Sequence, residues 1–109
     1  MIDRSGSMYG KEISDARQAL ALMIRQLPVD CRFNIVSFGS KYQFLWPNGF
    51  RKYTHDSVAE ALEYVDSMDA NFGGTEILEA LTAIFSIPCT TLRHVIVFTD
   101  WGVWDILLI

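Results

Sequence analysis

Apolar residues recur at steps of three and four from Ile13 through Ala16, Leu20, Met23 and Ile24 to Leu27. That spacing lays one apolar stripe along a helix and predicts an amphipathic helix over residues 11–27, closed by Pro28. Residues 32–38 are short and rich in Phe, Ile and Val ahead of Gly39-Ser40, which predicts a strand. Residues 41–45 are expected to return beside it across a tight turn at Gly39-Ser40. Beyond the Pro47-Asn48-Gly49 loop, Thr54 is placed to cap a second helix with Val58, Leu62 and Val65 inward, ending near Met68. Thr75 follows a Gly-Gly pair and is expected to open a third helix, with Ile77, Leu78, Leu81, Ile84 and Phe85 apolar and Pro88 as its stop. Residues 94–99 form a nearly continuous apolar run, the mark of a parallel strand covered on both faces. At the start, Met1-Ile2-Asp3 reads as the last part of a strand, because loop-forming Arg4-Ser5-Gly6-Ser7 follows it.

The order is therefore strand, helix, strand, strand, helix, helix, strand. Helices alternating with buried strands imply an α/β fold, a three-layer Rossmann-like sheet that is mostly parallel with one antiparallel edge strand and helices on both faces. No repeat, linker or low-complexity tract divides residues 1–100, while residues 101–109 read as an atypical tail ending in Ile106-Leu107-Leu108-Ile109. In such sheets the functional crevice lies beyond the carboxyl ends of the parallel strands. Asp3 and Asp100 both end apolar strands, so two carboxylates are expected on one sheet edge.

Composition narrows the function classes. A 50% hydrophobic content implies a buried core, and 13 acidic against 9 basic residues give a net charge of -4. Nucleic acid and anionic lipid both select basic faces, so neither is an expected partner. Cys31 and Cys89 stand far apart without a Cys-x-x-Cys or Cys/His cluster, which suits free thiols in a reducing compartment. No charged n-region with an apolar run begins the chain, and the longest apolar runs are too short to span a bilayer. An intracellular, cytoplasmic protein without membrane insertion is the expectation.

The candidate chemistry is oxygen-based. Asp3-x-Ser5-x-Ser7 alternates three short oxygen-bearing side chains around Gly6, Thr75 adds a hydroxyl, and Asp100 adds a carboxylate from a second strand. A set of carboxylates and hydroxyls without imidazole or thiolate selects a hard cation, Mg²⁺ before Ca²⁺, with Mn²⁺ also suited. Taken alone, Asp-x-Ser-x-Ser is equally at home as turn and helix-capping residues.

The motifs together resemble a known family. Ile2-Asp3-Arg4-Ser5-Gly6-Ser7-Met8, Gly73-Gly74-Thr75-Glu76 and Val97-Phe98-Thr99-Asp100 are similar to the three metal-coordinating loops of von Willebrand factor type A domains. Leu27-Pro28, Phe33-Asn34-Ile35, Phe38-Gly39-Ser40, Tyr53-Thr54 and Phe72 to Leu78 resemble the intracellular branch whose members carry an upstream VIT domain. The resemblance implies a metal-ion-dependent adhesion site. Ser5 and Ser7 would bind the cation directly, Thr75 would join when a ligand is engaged, and Asp3 and Asp100 would act directly or through water. A partner protein would complete the shell with an acidic side chain, making the domain a non-catalytic interaction module. The chain departs from that pattern at Trp101, which stands where the family places glycine after the aspartate, with Gly102 one position late. Against the family's six-stranded sheet it also reads as shortened at both ends.

Other readings stay open beside this one. A metal-independent binding scaffold shares every feature except the cation. An Mg²⁺-dependent phosphotransferase of the haloacid dehalogenase type would use Asp3 as nucleophile, but it needs a second aspartate two residues on, where Ser5 stands. Ser5 and Ser7 also lack the Gly-x-Ser-x-Gly elbow of serine hydrolases. His55 and His94 have no second ligand at metal spacing and read as structural or exposed, Phe33, Phe38, Phe72, Phe85 and Phe98 read as core, and Arg4 is expected to point away from the cation.

Overall fold

The computed structural model of the protein describes residues 1–88, 93–100 and 102–108, the last three of these by backbone alone. Strands β1 (Ile2–Asp3), β2 (Arg32–Phe33), β3 (Val36–Phe38), β4 (Tyr42–Phe44), β5 (Arg51–Lys52), β6 (Arg93–Thr99) and β7 (Gly102–Leu108) are joined by three helices. These are α1 (Lys11–Arg25), α2 (His55–Asp66) and α3 (Ile77–Phe85). The main sheet has the order β4-β3-β1-β6-β7. β1 runs parallel to β3 on one side and to β6 on the other, whereas β4 and β7 are antiparallel to their neighbours. The expected α/β sheet is thus present, and β7 adds an antiparallel edge opposite β4. No helix among the described residues is long and apolar enough to cross a membrane.

Alternation along the strands assigns the two faces. Ile2 and Phe98 turn toward α1 and α2 and join Ile13, Ala16, Leu20, Ile24, Ala61 and Val65 in one buried cluster. Val36, Phe38, Val95 and Val97 turn the other way and meet Ala80 and Ile84 of α3. Burying a large aliphatic or aromatic side chain contributes about 1.5–3 kcal/mol, so these clusters hold the layers together. The α2 start follows the sequence closely: Thr54 caps it, and Ser57 completes a reciprocal capping box with the Thr54 backbone.

Three expectations are corrected. The strand expected over residues 32–38 is broken, because the Asn34 side chain replaces ladder bonding. Its Oδ1 accepts from Ile35 N and Trp46 N, and its Nδ2 donates to Trp46 O and Gly49 O. β2 therefore leaves the main sheet and pairs with β5. The third helix starts at Ile77 with Glu76 as its N-cap, not at Thr75. On α3 the contact stripe is Ile77, Ala80, Leu81 and Ile84, so Leu78 (73% exposed) and Phe85 (50%) fall outside the core. Phe33, Phe38, Phe72 and Phe98 are buried as expected.

Cys31 is a free thiol, half-buried, and its pKa is pushed up by desolvation, as for an inert thiol. Cys89 lies outside the described residues. His55 is exposed, and the exposed His94 ring meets Asp105 Oδ1 at 3.1 Å across the β6-β7 ladder.

Candidate metal centre

Parallel pairing around β1 brings the carboxyl ends of β1, β3 and β6 to one edge of the sheet. Arg4 N continues the β1-β3 ladder by donating to Phe38 O at 2.8 Å, after which the chain turns through Ser5 into a short 3-10 turn, Gly6–Met8. Asp3 and Ser5 are both 1% exposed. Ser5 N donates to Asp3 Oδ1 at 2.9 Å, and the Ser5 and Ser7 hydroxyls stand 3.1 Å apart. Ser7 faces solvent. The loop thus pairs the two motif hydroxyls and fixes the buried Asp3 carboxylate on the Ser5 amide.

The Gly73-Gly74-Thr75 segment is held against this loop. Gly6 N donates to Gly73 O at 2.7 Å, and Phe72 N donates to Arg4 O at 2.9 Å. Thr75 is exposed, and its side chain makes no hydrogen bond among the described residues. Asp100 sits where β6 turns into β7. Ile2 pairs with Phe98, so one step further along the two strands lie Asp3 and Thr99, with Asp100 directly after. Thr99 pairs with Gly102, which leaves Asp100 exposed at the head of the β6-β7 turn. No hydrogen bond among the described residues joins Asp100 to Asp3, Ser5 or Ser7. Trp101, the departure beside it, lies outside the described residues.

Arg4 has a role that its place in the motif did not disclose. Its side chain turns away from the hydroxyls, as expected, but it is buried: Nε donates to Asp69 O (2.9 Å), Nη1 to Ser37 Oγ (3.3 Å) and Nη2 to Asn71 Oδ1 (3.0 Å). Its guanidinium also lies 4.2 Å from the centre of the Phe72 ring. One arginine therefore ties residues 69–72, the approach to Thr75, to the loop that carries Ser5. A local pattern gives no sign of this, because its partners lie 33 to 67 residues away.

The donor set suits a hard divalent cation by its chemistry, being hydroxyls gathered beside a buried carboxylate. It is not a histidine, cysteine or carboxylate cluster: among the described residues no three His, Cys, Asp or Glu side chains come together as metal ligands do.

A central parallel sheet between helical layers, with a serine-rich loop and a Gly-Gly-Thr loop tied together at its carboxyl edge, defines a Rossmann-like module with its candidate site on that edge. The comparison with known families then gives the membership. The model of the von Willebrand factor type A domain family matches residues 1–105, and this chain belongs to that family. It is 41% identical over 117 residues to von Willebrand factor A domain-containing protein 5A of Homo sapiens, covering 96% of this chain and 15% of that protein. A von Willebrand factor A domain-containing protein of Dictyostelium discoideum is 43% identical over 107 residues, covering 96% of this chain and 12% of that protein. The solved structure of a von Willebrand factor type A protein from Catenulispora acidiphila superposes with a TM-score of 0.68 at 30% identity, covering 75% of this chain and 20% of that one. The chain thus spans only a small part of the length of these relatives.

Proposed function

We propose that this domain is a non-catalytic protein-interaction module that holds Mg²⁺ or Mn²⁺ through Ser5, Ser7 and Thr75, with Asp3 and Asp100 bound directly or through water. The observation that carries the reading is the 3.1 Å separation of the Ser5 and Ser7 hydroxyls beside the buried Asp3. Two neighbouring ligands at about 2.1 Å from an octahedral cation stand about 3.0 Å apart, so this spacing matches adjacent coordination positions. Asp3, fixed by the Ser5 amide, holds the loop in the conformation that gathers the two hydroxyls. Ser7, on the solvent side, marks the face from which a partner approaches. The cation supplies an incompletely filled shell, a point of attraction for an acidic side chain of a partner protein. An intracellular setting fits the free thiol of Cys31.

A cation-independent mode of binding is the second reading, and the same 3.1 Å contact favours it in one respect. The two hydroxyls satisfy one another as a hydrogen-bonded pair without any ion. Calorimetric titration with Mn²⁺ separates the two. Under the first reading the unmodified chain binds Mn²⁺ and the Ser5→Ala/Thr75→Ala double variant, still folded, does not. Equal affinity in both chains would sink the proposed ligand set. Turnover of an aryl phosphate, abolished by Asp3→Asn, would instead support the phosphotransferase reading.

A further inference from the structure

The turn between β3 and β4, residues 39–41, presses against the loop that carries Thr75. Gly39 lies so close to Phe72 that a Cβ there would fall 2.4 Å from Phe72 Cβ and 2.6 Å from its carbonyl oxygen. Ser40 N donates to Phe72 O at 2.7 Å, and Glu76 N donates to Gly39 O at 2.9 Å. Between these two backbone bonds, Gly74 N donates to the Ser40 hydroxyl at 2.6 Å. The hydroxyl fits a notch that only glycines leave open. A Cβ on Gly73, whose φ is +78°, would fall 2.8 Å from Ser40 Oγ, and one on Gly74 would fall 3.1 Å from it. Thr75 is exposed and lacks a side-chain hydrogen bond among the described residues, so its neighbours set its position. Both of them, Gly74 and Glu76, are bound to the Gly39-Ser40 turn.

We propose that Ser40 is a positioning residue for the cation site: its hydroxyl fixes Gly74 and thereby the place at which Thr75 offers its own hydroxyl. The proposal rests on the cation-site reading above. Loss of the Ser40 hydroxyl frees the Gly74 amide while the backbone bonds of Gly73, Phe72 and Glu76 remain, so Thr75 stays in its loop but is anchored on its Glu76 side alone. Ser40 itself is exposed and contributes nothing to the core, so the domain stays folded without the hydroxyl.

The test is Mn²⁺ titration of the 109-residue chain and its Ser40→Ala, Ser40→Thr, Ser5→Ala, Thr75→Ala and Ser40→Ala/Thr75→Ala variants, with amide exchange followed at Gly74. Ser40→Ala is expected to weaken Mn²⁺ binding about fivefold, the size of one ordinary net hydrogen bond, and to speed exchange at Gly74. Ser40→Thr, which keeps the hydroxyl, restores both. On the Thr75→Ala background Ser40→Ala has no further effect on affinity, the non-additivity expected of two residues acting as one. Unchanged Mn²⁺ affinity in Ser40→Ala, with binding still lost in Ser5→Ala, overturns the proposal and leaves the cation site standing. A full Ser40→Ala effect on the Thr75→Ala background overturns it as well. Absence of Mn²⁺ binding by the unmodified chain removes both the site and the proposal.

Discussion

Asp3, Ser5 and Ser7 lie in a loop tied by backbone and arginine hydrogen bonds to the loop of residues 69–73 and to β3, whereas Asp100 lies exposed in the turn of a hairpin. The first half of the candidate site is part of the stability of the domain. Its hydroxyls are placed before any ligand arrives, which lowers the ordering cost of binding. The second half is set by one strand end, and its residue is exposed to solvent. Changes in the first half should therefore alter folding and binding together, and changes in the second should alter binding alone.

The largest effect is expected from Arg4→Ala. It removes three hydrogen bonds and the contact with Phe72, and it leaves Asp69 O and Asn71 to find new partners. A loss of about 3 kcal/mol in urea denaturation is expected, with weaker Mn²⁺ binding alongside it. Gly39→Ala forces a Cβ into Phe72 and is expected to cost about 2 kcal/mol, measured the same way. Asp100→Asn, in the exposed half, should leave stability within about 0.5 kcal/mol while Mn²⁺ affinity falls. A large loss of stability in Asp100→Asn would show that the two halves are built alike after all.

How far the sequence discloses this arrangement depends on the range of the interactions. The stripe of α1, the capping threonine of α2 and the apolar run of β6 are local patterns, and each marks its element within a few residues. Asp3, Ser5 and Ser7 stand two residues apart, so their convergence was readable from the motif. The break at Asn34 was not, because an asparagine side chain that captures Trp46 and Gly49 looks in sequence like any polar residue within a strand. Leu78 and Phe85 match helical spacing about as well as Ile77 and Ile84 do, and only the position of the sheet decides which face is covered. The anchoring by Arg4 and the contact of Ser40 with Gly74 join residues more than thirty positions apart. The Gly73-Gly74 pair was the local trace of the Ser40 contact, since adjacent glycines often mark a place where another group comes close.

Under the proposed function a divalent cation binds the folded domain through the Ser5 loop. Thermal unfolding followed by circular dichroism, with chelator and then with millimolar Mg²⁺ or Mn²⁺, tests it most directly. A ligand selective for the folded state must raise its stability, so the account predicts a cooperative transition whose Tm rises with cation in the unmodified chain and stays fixed in Ser5→Ala. A cooperative transition at the same Tm with and without cation in the unmodified chain would contradict it.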